Sequence, residues 1–278
     1  MVDKKTVKKE VCLEGVGIHS GKKVKLLLRP SSSGKILFRR SDLNSLEFSL
    51  DPKRIETKSS TSLTEEECSI QTIEHLLAVL YVFNVSSLVI ELKGCEIPIM
   101  DGSAYPFVRA IQKVGIKSLP QKRNHIKIKK HHKIQENDSY VSFYPDSLFR
   151  ITCSIEYDHP AIKSQELNFT VNQHNFVEEI APARTFGFLK DVPYLLEEGL
   201  ALGGSLENAI VLDEKEVING PLRYPDEFVR HKILDLIGDL FLLGYPVLGH
   251  FKAHKAGHSL HVKTVNFITD NPEFWTFV

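Results

Sequence analysis

Net charge is the first thing this sequence lacks: 35 Lys and Arg balance 35 Asp and Glu. No global field therefore points to nucleic acid or to an anionic surface, and no nucleic-acid partner is expected. Cysteine is also scarce. Cys12, Cys68, Cys95 and Cys153 are scattered without CxxC pairing, which argues against a Cys-ligated zinc site and for reduced thiols in a cytoplasmic protein. Long apolar runs are missing as well. The uncharged stretch Leu76–Ile90 is broken by Asn84, Ser86 and Ser87. It is too short to cross a bilayer as one helix and reads as a buried helix running into a buried strand. The basic start, MVDKKTVKKEV, has no apolar core behind it and gives no sign of secretion.

What is present is ordinary for a globular protein: 278 residues, 42% hydrophobic and 25% charged, with room for two domains. Two halves share an order of parts. In the first, Lys22–Pro30 and Lys35–Arg40 alternate as strands do, a helix is predicted over Thr72–Val82, a strand over Ser86–Leu92, and a helix over Ala104–Val114 ending at Gly115. In the second, Ile126–Lys130, Tyr140–Pro145 and Phe149–Tyr157 read as strands. A long helix follows, with Pro225 at its first position, Asp226 and Glu227 in its first turn, and Gly244 and Pro246 to stop it. A strand over Gly249–Gly257 comes next. The pattern predicts an α+β fold of two related domains, residues 1–120 and 125–278, with the boundary in Ser118–Asn124.

Residues 181–219, rich in Gly and turn formers, read as an insertion in the second domain, centred near 181–210. The basic run Lys122–Lys133 alternates with Ile126, Ile128 and Ile134, which predicts an edge strand with a solvated face.

Three stretches carry chemistry. TIEHLLAVL, Thr72–Leu80, sets Glu74 beside His75 on an apolar helix. RHKILDLIGDL, Arg230–Leu240, spaces His231, Asp235 and Asp239 at four-residue steps, so they climb one helical face. HFKAHKAGHSLH, His250–His261, crowds four histidines together. Catalytic zinc takes three protein ligands from His and Asp or Glu and keeps the fourth position open for water. His231 and Asp235 can supply two ligands from one helix and His75 a third, leaving Glu74 as a base. Each piece has a plainer alternative. His-x-x-x-Asp is more often a polar pair, Glu-His at a helix start can serve the helix dipole and the core, and strand histidines can simply face solvent.

GVGIHSG (Gly15–Gly21), TIEHLLAVL, IMDGSAYPF (Ile99–Phe107), ARTFGF (Ala183–Phe188), GLALGGSLENAIV (Gly199–Val211), RYPDEFVRHKILDLIGDL (Arg223–Leu240) and KAGHSLH (Lys255–His261) follow one another along nearly the whole chain. Together they closely resemble the UDP-3-O-acyl-N-acetylglucosamine deacetylases, zinc enzymes of bacterial lipid A synthesis. The resemblance implies two β-α-α-β domains with helices sandwiched between sheets. It implies Zn2+ on His75, His231 and Asp235, Glu74 as the catalytic carboxylate, and a cationic His258 oriented by Asp239. Thr185 would steady the oxyanion and Lys232 would touch substrate. Phe186, Phe188, Leu202, Leu195, Leu196 and Leu200 would line an acyl-chain passage, although they would serve an ordinary local core equally well.

Lys232, Lys252 and Lys255 are expected to meet the diphosphate of the UDP-3-O-acyl-N-acetylglucosamine substrate. His19 also matches the family pattern, while Gly15, Gly17 and Gly21 around it argue for a tight turn and a structural role. The expected protein is a cytoplasmic monomer that touches the inner-membrane surface transiently. No second enzyme is expected after the last motif, which lies close to Val278. Two readings compete: a zinc amidase acting on another acylated amine, and a non-catalytic zinc-stabilised module. Glu74 stands against the module, because a structural zinc site is normally closed by four protein ligands.

Overall fold

The computed structural model describes residues 1–65 and 68–278, and the fold is α+β. Strand β1 (Val2–Val7) pairs antiparallel with β10 (Ile116–Arg123). The first main sheet holds β2 (Val11–Val16), β3 (Lys23–Pro30), β4 (Ile36–Arg40), β5 (Leu46–Ser49) and β9 (Leu88–Lys93), in the order β2-β3-β9-β4-β5. Between β5 and helix α1 (Glu74–Val82) the chain makes a small sheet of β6 (Ile55–Glu56), β7 (Ser62–Glu65) and β8 (Cys68–Ile70). Helix α2 (Tyr105–Val114) follows β9 and stops at Gly115, where φ is +76°.

The second main sheet contains β11 (Ile126–Ile128), β12 (His132–Glu136), β13 (Ser139–Tyr144), β14 (Phe149–Tyr157), β15 (Lys163–Thr170), β18 (Val247–His254) and β19 (Trp275–Phe277). Before its long helix α5 (Glu227–Leu240) the chain runs through α3 (Gln173–Asn175), α4 (Val192–Glu197) and a parallel pair, β16 (Phe186–Phe188) with β17 (Ile210–Leu212). Helix α6 (His258–Asp270) follows β18.

The two main sheets repeat one topology. Around β9 the path is β2-β3-β9-β4-β5, and around β18 it is β12-β13-β18-β14-β15. In both, all neighbours are antiparallel except the central strand and its β4 or β14 partner. Alternation buries one face of each strand: Val24, Leu26 and Leu28 of β3, and Phe149, Ile151, Cys153 and Ile155 of β14, point inward. Helices α1 and α5 pack on each other between the sheets. Each is buried around nearly its whole circumference, the mark of a core helix rather than an amphipathic surface one.

Gly238 makes the closest part of that contact. A Cβ there would stand 2.1 Å from the Glu74 carbonyl oxygen and 3.0 Å from Glu74 Cα. Only a residue without a side chain lets the two backbones touch at this point.

Most of Ser118–Asn124 lies in β10, hydrogen-bonded to β1. Three expectations need correction. The basic run is not one edge strand: Lys122 and Arg123 end β10, β11 lies inside the sheet between β18 and β19, and only β12 is an edge. Helix α5 starts at Glu227, with Asp226 at its cap, so Pro225 precedes the helix. Asp226 takes the Arg230 Nε hydrogen bond at 2.6 Å instead of capping a backbone amide. The strand expected to reach Gly257 ends at His254, and His258 opens α6.

Candidate metal centre and active site

The start of α1 and the middle of α5 bring His75, His231 and Asp235 together, each at most 4% exposed. One donor atom from each lies within 4.8 Å of the other two. His231 Nε2 is 3.4 Å and His75 Nε2 3.7 Å from the same Asp235 oxygen, Oδ1. The other ends of two of these groups are tied down. His231 Nδ1 is 3.1 Å from the Ala183 carbonyl, to which it donates, and this fixes the tautomer that leaves Nε2 with a free lone pair. Asp235 Oδ2 accepts from Lys232 Nζ at 3.0 Å, which turns Oδ1 toward the two imidazoles. His75 Nδ1 is buried without a hydrogen-bond partner among the described residues.

Burial, and then the neighbouring His231, push His75 down to about 3, and burial also lowers His231. Burial works against charge on Asp235, but His231 and the Lys232 ammonium outweigh it and hold the carboxyl well below its usual range. Two neutral imidazoles and an ionised carboxylate converging in a buried site make a donor set suited to a divalent transition metal.

Glu74 and His258 stand beside this triad. Glu74 Oε2 accepts from the Thr61 amide at 3.1 Å, and Oε1 lies 3.9 Å from His258 Nε2. Burial pushes the Glu74 carboxyl up to about 8, with the His258 charge opposing. Asp239, fully buried, lies 2.8 Å from His258 Nδ1 and 2.8 Å from His261 Nδ1 through one oxygen, Oδ2, and accepts from Thr61 Oγ1 at 2.5 Å through the other. Burial opposes a charged His258, but Asp239 and then Glu74 outweigh it and raise the ring to about 10. These partners favour the charged form of His258. Three successive turns of α5 thus present two donors that converge with His75, and then the carboxylate that holds His258.

These groups form the floor of a cavity of about 480 Å³. Its walls are apolar: Phe186, Phe188, Leu195, Leu206, Val211 and Ile218 line it, and Thr185 and Lys232 also face it. Lys232 Nζ also sits 5.6 Å from the centre of the Phe186 ring. Leu202 is not in this lining. It is 54% exposed and packs toward Gly21 on the outside of the 181–219 insertion, which forms an arm. Leu196 and Leu200 are likewise outside it.

The arm is held by the first half of the chain. Leu202 N donates to the His19 carbonyl and Gly203 N to the Ile18 carbonyl, at 3.1 and 3.0 Å. The His19 loop is in turn fixed by Glu96, a fully buried carboxylate that accepts from His19 N, Ser20 N and Thr72 Oγ1 at 2.8–2.9 Å. Gly17 leaves room for that carboxylate, since a Cβ there would meet Glu96 Oε2 at 2.1 Å.

Neither of the other two lysines expected to meet the diphosphate lines this cavity, although Lys255 and Lys232 share a neighbouring one. Lys252 projects from the outer face of β18 over Tyr144, and Lys255 is paired with Asp138 and Glu156 at 2.8 and 2.9 Å. His250 and His254 are on the same outer face, bonded to Thr152 and Ser154 hydroxyls. Of the four crowded histidines, only His258 and His261 reach Asp239.

The family model described as LpxC, UDP-3-O-acyl N-acetylglycosamine deacetylase, matches residues 4–270. The chain belongs to this family. It is 49% identical to the UDP-3-O-acyl-N-acetylglucosamine deacetylase of Thermodesulfovibrio yellowstonii, over 93% of this chain and 89% of that protein. Proteins of the same name from Haemophilus influenzae and Chromobacterium violaceum are 42% and 41% identical, each over 100% of this chain and 93% of their own length.

Sequence reasoning missed Thr61, the Ala183 carbonyl, His261 and Glu96. His261 had a readable signal: with His258 it makes an i,i+3 pair once the helix after Gly257 is recognised. The others come from loops and strand ends, where no periodicity shows which side chains will meet.

Proposed function

We propose that this chain removes the N-acetyl group from UDP-3-O-acyl-N-acetylglucosamine, releasing acetate and a free amine, with zinc held by His75, His231 and Asp235. The observation that carries the reading is a three-donor set beside a carboxylate and a carboxylate-bound histidine, at the floor of an apolar-walled cavity. A closed structural site would have four protein donors, and three leave a position for a reacting oxygen. When bound, zinc supplies Lewis acidity toward water and the amide oxygen, and its charge holds Glu74 ionised.

The chain's own groups do the rest. Glu74 takes a proton from water as its oxygen adds to the acetyl carbon. Negative charge gathers on the former carbonyl oxygen, where the Thr185 hydroxyl donates a hydrogen bond. The C–N bond breaks as the nitrogen takes a proton from His258, whose charge Asp239 maintains. Lys232 holds Asp235 in its orientation and offers an ammonium at the cavity edge. Phe186, Phe188 and Leu195 wall the passage for the 3-O-acyl chain.

No helix of the described residues is long and apolar enough to cross a membrane. A cytoplasmic monomer that meets the inner-membrane surface briefly, to release an amphiphilic product, belongs to the same reading. The test is acetate release from the UDP-acyl-sugar by purified zinc-loaded protein. Glu74→Ala should lower turnover by about 10²–10⁴-fold while zinc content is unchanged. No acetate from the wild type, or equal turnover by the variant, rejects the proposal.

A further inference from the structure

Thr61 sits in the segment between β6 and β7, outside both helices that carry the site, and is fully buried. All of its polar atoms are used. The amide donates to Glu74 Oε2 at 3.1 Å, and the carbonyl accepts from Ile73 N, just before α1, at 3.1 Å. The hydroxyl donates to Asp239 Oδ1 at 2.5 Å and lies 3.1 Å from His258 Nδ1. One residue thus touches the proposed base, the proposed acid and the carboxylate that orients the acid.

We propose that the Thr61 hydroxyl is a positioning group for proton delivery: it locks the Asp239 carboxylate so that His258 keeps its Nδ1 on Asp239 and its Nε2 toward Glu74 and the leaving nitrogen. A hydroxyl has one proton to donate, and Asp239 Oδ1 has no other partner among the described residues. Without that donor, Oδ1 is left bare in a site closed to solvent, and the carboxylate can turn toward His261, which already shares Oδ2. His258 then loses its fixed orientation, while no hydrogen bond of Thr61 runs to His75, His231 or Asp235. The inference rests on the proposed roles of Glu74 and His258.

The test compares Thr61→Ser, which keeps the hydroxyl, with Thr61→Val, which replaces it by a methyl of similar size. Both keep the backbone bonds to Glu74 and Ile73. In zinc-loaded protein, T61V should lower kcat by about 10–100-fold, the range seen when partners behind a reacting group are removed. KM should stay within about twofold and zinc content should not change, while T61S should recover kcat to within about threefold. Imidazole Nδ1 proton signals in the NMR spectrum add an independent readout: the His258 signal should broaden or move in T61V, and the His261 signal should persist. Wild-type kcat in T61V, a loss confined to KM, or T61S as slow as T61V would each overturn the proposal. If T61V does not fold, Thr61→Ala carries the same comparison, and a chain that folds only with Thr or Ser at this position marks Thr61 as purely structural and also overturns it. A His258→Ala arm separates the two levels. If that variant keeps full turnover, the assignment of His258 as the acid fails whatever Thr61 does.

Discussion

The two main sheets have the same strand order and directions, yet the helices behind them do different work. In the first half α1 contributes at its first turn only: Glu74 and His75 stand at its start, and the remainder is apolar core. In the second half α5 contributes along its length, with His231, Asp235 and Asp239 on successive turns. The following helices diverge in the same way. At the start of α2, Gly102 and Ala104 hold the Ala181–Thr185 segment through backbone hydrogen bonds, whereas α6 starts with His258, the charged group of the site. A repeated scaffold thus supplies placement, and local sequence decides which copy carries chemistry. Neither half has a complete donor set, so the site exists only where α1 and α5 cross.

If that division of labour holds, His75→Ala and His231→Ala should be equally damaging. Each should lose the bound metal and reduce acetate release by at least about 10³-fold, because an open three-ligand site does not survive the loss of one ligand. Retained metal in His75→Ala, measured by elemental analysis, would reduce the first half to a frame. Next in size, Asp239→Ala should keep its metal but lose about 10–100-fold in turnover; equal loss of both would place Asp239 among the ligands.

Gly238→Ala attacks the crossing itself. It should cost about 1–3 kcal/mol in urea unfolding, as overpacking does, and lower turnover by shifting Glu74 away from α5. Unchanged stability would mean that the two helices are not locked there.

The pH dependence of stability gives a smaller signal. His258 is raised from 6.5 to about 10, so its charged form stabilises the fold fully below about pH 6.5, and the contribution is lost as pH rises through about 10. Melting curves of metal-free wild type and His258→Gln should therefore converge between those values, and parallel curves would remove the charge from His258. Smallest of all, Lys58→Ala should leave the melting temperature unchanged. The Lys58–Glu198 pair that joins the first half to the insertion arm is solvent-exposed, whereas the arm is held by backbone bonds to Ile18 and His19. A clear drop would show that the ion pair holds the arm.

Helical spacing makes much of this legible in the sequence. The steps from His231 to Asp235 to Asp239 could be placed on one face because helix geometry is rigid and local. The alternating strands were legible for the same reason. What could not be read depends on distant segments arriving at one place. Thr61 reaches Asp239 across 178 positions of sequence, and nothing in the residues around Ser60 foretells it. Lys252 was hard to place because a strand's two faces differ only by one step in register, and the pattern of charges does not say which face is outside. Leu202 lies outside the cavity lining, and apolar character alone does not tell the wall of a passage from its outer surface.

At Gly238 two helices from different halves meet backbone against backbone. The donor atoms on either side of that joint lose their freedom when the chain folds, not when an ion arrives. On the proposed function, uptake of a metal then costs little further rotamer entropy, because the spacing of two main chains has already set the donors.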